Sequence, residues 1–96
     1  MEILPITINQ AVLLISKKIS EDEKFFIANS TLDELYEFGI IKELEVDEIT
    51  GLSLGNKALL EDCSLYNNNS DFIAYISVSE AIDIIVEELI IYLKSK

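Results

Sequence analysis

The sequence contains no histidine, no arginine and no tryptophan, and it has only one cysteine, one proline and three glycines. Each absence removes a class of chemistry. Without histidine, no side chain exchanges protons near neutral pH at its ordinary pKa, and the commonest transition-metal ligand is missing. Without arginine, the planar fork that grips phosphate in two places is missing as well. The lone thiol, Cys63, cannot close an intramolecular disulfide, so a reducing compartment is expected and the cytoplasm is its default. No uncharged apolar run approaches the ~20 residues of a membrane-spanning helix. Met1-Glu2-Ile3-Leu4-Pro5 carries no basic region, and no small-residue cleavage site follows the apolar stretch from Ala11 to Ile15, so no secretory signal is expected. These absences read as a soluble protein that is not an enzyme, with no cofactor, no metal and no membrane contact.

What is there is apolar and acidic. Half of the 96 residues are hydrophobic, enough for one core and too many for a disordered acidic tail. A single domain over residues 1–96 follows. Eighteen Asp and Glu stand against seven Lys, for a net charge of −11. Such a field repels nucleic acid and anionic lipid, because binding to phosphate depends on cationic side chains that neutralise it. The same field steers the chain toward a basic protein surface.

Helix-start signals recur along the chain. Thr7-Ile8-Asn9-Gln10, Ser20-Glu21-Asp22-Glu23, Thr31-Leu32-Asp33-Glu34 and Ser77-Val78-Ser79-Glu80 all place a hydroxyl three residues before a Glu or Gln, the spacing of a capping box. Ile8, Ala11, Val12, Ile15 and Ile19 then recur at helical spacing, with Lys17 and Lys18 at the end that favours cations. The second helix is short and carries Phe25, Phe26 and Ala28. The third has Leu32, Leu35, Tyr36 and Phe38 as its inward candidates, and the apolar pattern of Ile40, Ile41, Leu44 and Val46 predicts that it continues through Gly39. Thr50-Gly51 and Gly55-Asn56 read as turns, with a brief helix over 57–63 between them and the next loop.

Three adjacent asparagines make residues 66–71 a mobile loop, because their side chains compete for backbone hydrogen bonds. Residues 72–76 fit either a short strand or an apolar approach to the last helix. That helix runs from about Val78 to Leu93, with Ile82, Ile85, Val86, Leu89 and Leu93 in one stripe and Glu80, Asp83 and Glu87 in a narrow polar one. So apolar a helix belongs at the centre of a bundle. The expected fold is mainly all-α, a small bundle of four to five helices around a long C-terminal helix.

Residues 20–48 hold ten acids against Lys24 and Lys42, so this stretch carries −8 of the −11. Asp33 and Glu37 lie one helical turn apart with Glu34 beside them, a ribbon of like charges that a basic partner would relieve. Asp33, Glu34 and Glu37, with Tyr36 as an aromatic anchor, are therefore the candidate partner-binding residues. Ile84 and Ile91, which widen the apolar face of the last helix, are the candidate interface of an alternative homodimer.

Catalytic and metal motifs are poorly served. Glu43, Glu45, Asp47 and Glu48 lack the alternating donors and central glycine of a calcium loop. Gly51-Leu52-Ser53-Leu54-Gly55 has the form of a nucleophile elbow, but no histidine exists to act as its base. Cys63 sits beside Glu61 and Asp62, which oppose its ionisation, and reads as a small core residue.

Phe38-Gly39, the segment Gly51-Leu52-Ser53-Leu54-Gly55-Asn56-Lys57-Ala58-Leu59-Leu60, and Ser79-Glu80-Ala81 at the head of an apolar helix resemble a family of small bacterial proteins of unknown function. That family typically shows Gly-Leu-Trp, a nearby Asn and a Leu pair; here Ser53 stands at the Trp position, and Asp47-Glu48 stand where an Arg-Asn pair is usual. The resemblance implies a compact, mainly helical fold and no particular activity. Charge supplies the functional expectation: an acidic inhibitor of a basic protein, foremost an immunity protein for a nuclease-type toxin. A phage anti-defence protein that imitates nucleic acid and a homo-oligomeric structural protein are the alternatives.

Overall fold

The computed structural model describes residues 4–67 and 77–95. Among these residues seven α-helices follow one another: α1 (Ile8–Lys18), α2 (Glu21–Ala28), α3 (Leu32–Glu37), α4 (Ile40–Leu44), α5 (Val46–Thr50), α6 (Lys57–Asn67) and α7 (Val78–Lys94), with one 3-10 turn at Leu52–Leu54. No strand occurs among the described residues, and none of their helices is long and apolar enough to cross a membrane. The fold is an all-α bundle, and α7 is its axis, packed against α1, α2 and α6 and also touching α3 and α5.

Local sequence explains where the helices start. Thr7, Ser20, Thr31 and Ser77 each accept a hydrogen bond from the backbone N–H three residues on. Glu23 and Glu34 return the favour to the N–H of Ser20 and Thr31, completing two capping boxes. Gln10 behaves differently, since its Oε1 accepts from the N–H of Ile6 at 3.0 Å and so ties down the chain before α1.

The middle of the chain is more broken than the apolar pattern predicts. Gly39 takes φ 74°, a left-handed conformation that ends α3 one residue after its cap and lets Ile40 begin a new helix. Glu45 is left-handed as well, at φ 52°, and separates α4 from α5. The continuous helix expected through Gly39 is thus three short ones, which lets Leu35, Leu44 and Val46 all reach the core. At the other boundary the helix expected over 57–63 extends to Asn67, so the first two positions of the expected 66–71 loop are helical. The rest of that loop, and residues 72–76, lie outside the described residues.

Around α7 the buried residues are Ala81, Ile84, Ile85, Val86, Leu89 and Ile90. At ~100° per residue these cover about 240° of the helix circumference, so α7 is enclosed from three sides. Ile82 and Leu93, expected in the central stripe, are only partly buried, because they lie toward the two ends of the helix. Ile15 of α1, Ile27 of α2, Leu35 of α3 and Leu59 of α6 meet this surface and are fully buried.

The segment 51–60 is a structural clamp. Gly51 is left-handed, and a Cβ there would lie 2.7 Å from a methyl of Leu4. Leu52 and Leu59 are buried, and Leu60 packs against the core. Asn56 binds three parts of the chain at once. Its Nδ2 donates to the carbonyls of Pro5 at 2.8 Å and Thr50 at 2.7 Å, and its Oδ1 accepts from the N–H of Leu59 at 3.3 Å. Gly51 and Asn56 therefore pin the N-terminal segment over the start of α6, with Leu52 and Leu59 anchored in the core beneath.

Candidate functional site

Helix α2 carries three consecutive large apolar residues, Phe25, Phe26 and Ile27, whose directions differ by ~100° each, so burying all three needs packing from several sides, and α2 packs mainly against α7. Ile27 takes the core. Asp22, Phe25, Phe26 and Asn29 occupy the i, i+3, i+4, i+7 positions of one face, and that face is turned to solvent. Phe25 is 73% exposed and Phe26 43% exposed. The two phenylalanines that the short helix carries are therefore on its outer side.

The turn into α3 fixes how this face is continued. Asn29 Nδ2 donates to the Phe25 carbonyl at 2.8 Å and Ser30 Oγ to the Phe26 carbonyl at 2.7 Å, closing the last turn of α2. The capping box at Thr31 and Glu34 then starts α3 at once. Phe38, at the end of α3, leans back so that its ring meets Phe26 edge to face, centroids 6.0 Å apart and planes at 69°. Phe38 stays 59% exposed. Between α2 and α3 lies a groove of about 580 Å³ lined by these three phenylalanines, by Asn29 and Ser30, and by the carboxylates of Asp22 and Glu34. Phe25 also lines a second hollow of about 470 Å³, shared with Glu21 and with Tyr92 of α7, and so stands between the two.

The four residues predicted to meet a partner all sit on α3 and are all exposed. Leu35 faces the core, and Asp33, Glu34 and Glu37 span an arc of about 100° on the opposite side. Glu34 has a structural duty in its capping box while it lines the groove. Asp33 and Glu37 make no ion pair or hydrogen bond among the described residues, and neither does Asp22. The one ion pair among those residues joins Lys24 to Glu21 at 3.3 Å. Tyr36 is not a free anchor, because its hydroxyl donates to Asp83 of α7. Burial, that hydrogen bond and the charge of Asp83 push the phenol up to about 12.

The two isoleucines of the alternative interface are separated by the structure. Ile84 is 9% exposed and belongs to the core, whereas Ile91 is 57% exposed beside Glu87 one turn earlier. Burial takes Ile84 off any surface, and Ile91 alone remains for contact through α7.

Other sequence candidates find structural roles. Cys63 is fully buried, and desolvation together with the charge of Asp62 pushes its thiol up to about 12. Asp62 itself accepts from the N–H of Ile8 at 2.8 Å, holding the start of α1 against α6. Ser53 lies in the 3-10 turn and donates to Asp47 at 2.7 Å, so the Gly-x-Ser-x-Gly pattern forms no strand-to-helix elbow. Among the described residues no three Cys, Asp or Glu side chains are grouped to hold a metal ion.

The phenylalanine groove was the part that sequence reasoning missed. Its signal was present in the run Phe25-Phe26-Ile27, which a helix packed from one side cannot bury whole. No protein-family model, curated protein or solved structure matches the chain, so its geometry is the basis for a functional reading.

Proposed function

We propose that this chain is a non-catalytic, acidic inhibitor that covers a basic protein, with the exposed surface of α2 and α3 as its contact face and a nuclease-type toxin as the partner class that fits best. One observation carries the reading: three exposed phenylalanines share a groove with the carboxylates of Asp22 and Glu34, and Asp22, Asp33 and Glu37 make no ion pair or hydrogen bond among the described residues. Carboxylates alone serve solubility. Large exposed aromatics serve it poorly, and a hydrophobic patch rimmed by charge is what an interaction site needs. A nuclease carries cations where it holds phosphate, so an acidic cover is complementary to the surface it must block. Inhibition then needs no chemistry from the inhibitor.

The test is capture from the native cells at low and high salt, comparing the wild type with Asp33→Lys/Glu37→Lys, followed by titration of the purified partner. A basic protein that binds the wild type, releases as salt rises and ignores the charge-reversed variant supports the reading. Equal binding by the variant, or binding indifferent to salt, overturns it.

A further inference from the structure

We infer that the groove between α2 and α3 receives an arginine-bearing segment of the partner, whose guanidinium lies against the Phe25 and Phe38 rings while Asp22 and Glu34 supply the counter-charge. The inference rests on the basic-partner reading and adds the chemistry of recognition to it.

Three features of the groove select this occupant. Its walls are aromatic, and exposed rings attract a cation through the negative potential of their faces. Its charged lining is anionic, and among the described residues Asp22 has no partner and Glu34 is bonded only to a backbone N–H. A purely apolar ligand would leave those carboxylates facing it without a partner, which costs more than it gains. An anionic ligand is repelled outright.

Between the two cationic side chains, the geometry favours arginine. A guanidinium is planar, weakly hydrated and able to stack on a ring while its edge donates to carboxylates. A lysine ammonium is a strongly hydrated point charge that keeps its water and meets one group at a time. The Phe26–Phe38 contact also matters. Because Phe38 is braced against Phe26 at 6.0 Å, its ring is already ordered and loses little freedom when a partner arrives. The sequence has no arginine, so no guanidinium of its own competes for this place.

The experiment uses the full chain, labelled with nitrogen-15, and three soluble helical peptides identical except at their charged positions, which carry arginine, lysine or glutamate. Amide shifts and dissociation constants are read at low salt. The inference predicts that the arginine peptide binds about threefold to tenfold tighter than the lysine peptide, with shifts gathered on residues 22–38. It also predicts that Phe25→Ala and Phe38→Ala each weaken the arginine peptide about threefold to tenfold, while the nearby exposed Glu43→Gln does not. Phe25 and Phe38 lie at the surface, so circular dichroism will show both variants folded.

Equal affinity for arginine and lysine, with shifts spread over all the acidic helices, overturns the groove inference and leaves the basic-partner reading standing. Binding of neither cationic peptide overturns both. Binding of the glutamate peptide as tightly as the arginine one overturns both as well, because charge would then decide nothing.

Discussion

Phe26 and Phe38 meet edge to face with centroids 6.0 Å apart, although neither ring is buried. Aromatic contact at a surface orders two side chains without hiding them. Pairs of this kind are worth about 0.5–1.5 kcal/mol, and an exposed one belongs at the low end. In a double-mutant cycle with Phe26→Leu and Phe38→Leu, urea denaturation should give a coupling of about 0.5 kcal/mol. A coupling near zero would mean that the rings do not hold each other in place.

Exposed and buried members of the Phe25-Phe26-Ile27 run should respond oppositely. Phe25→Ala removes a ring that solvent already surrounds and should change stability by no more than about 0.5 kcal/mol. Ile27→Ala opens a cavity in the core and should cost about 2–5 kcal/mol. Thermal or urea denaturation checks both, and a large loss from Phe25→Ala would contradict the outward placement of that face.

The clamp around Asn56 predicts a second contrast. Gly51→Ala meets both a left-handed backbone and the Leu4 methyl at 2.7 Å, whereas Gly39→Ala meets a left-handed backbone and open space. Gly39→Ala should therefore cost about 1–2 kcal/mol, the left-handed penalty alone, and Gly51→Ala should cost more. Asn56→Ala leaves the Pro5 and Thr50 carbonyls without this partner and should cost about 1–3 kcal/mol. It should also speed amide exchange at Ile6, whose N–H is held by Gln10, which a merely local loss would not do.

Alkaline conditions should weaken the fold. The Cys63 thiol rises from 9.0 to about 12 and the Tyr36 phenol from 10.0 to about 12 on folding. The folded state thus holds both groups in their neutral forms. Their contribution is complete below pH 9, where the unfolded thiol begins to ionise, and it is lost as pH rises toward 12. The denaturation midpoint should fall across that window. Tyr36→Phe should flatten the upper part of the fall and Cys63→Ala the lower; unchanged slopes in both variants would refute the assignment.

The two isoleucines of α7 give a fifth test. Ile84→Glu places a carboxylate in the core and should unfold the chain, whereas Ile91→Glu should leave its stability within about 0.5 kcal/mol. Sedimentation of the Ile91→Glu variant therefore reports on self-association without the confusion of unfolding. A dimer in the wild type that is lost only in this variant would favour an α7 interface over the α2–α3 face.

Helix starts were legible because a hydroxyl three residues before Glu or Gln encodes its own hydrogen bonds, as Thr31 and Glu34 show. The central role of α7 was legible because its apolar residues outnumber what one face can hold. Glu45 was not legible, since nothing in a glutamate signals a left-handed backbone, and tertiary packing of Leu44 and Val46 decides it. The direction of the α2 stripe was hidden for a similar reason. Its period is visible in Asp22, Phe25, Phe26 and Asn29, but which side meets the core depends on α7, far along the chain. The acidic ribbon on α3 could be read directly, and the aromatic groove beside it could not.

The most direct measurement replaces Phe25 with a photoreactive phenylalanine analogue in the native cells and compares it with the same analogue at Leu54, which is 84% exposed in the 3-10 turn. Cross-linking of one basic protein from position 25, weakened by salt in the extract and absent from position 54, is the result expected of an α2–α3 docking face. Cross-links formed from position 54 and not from position 25, or a partner at position 25 that is acidic, would contradict it.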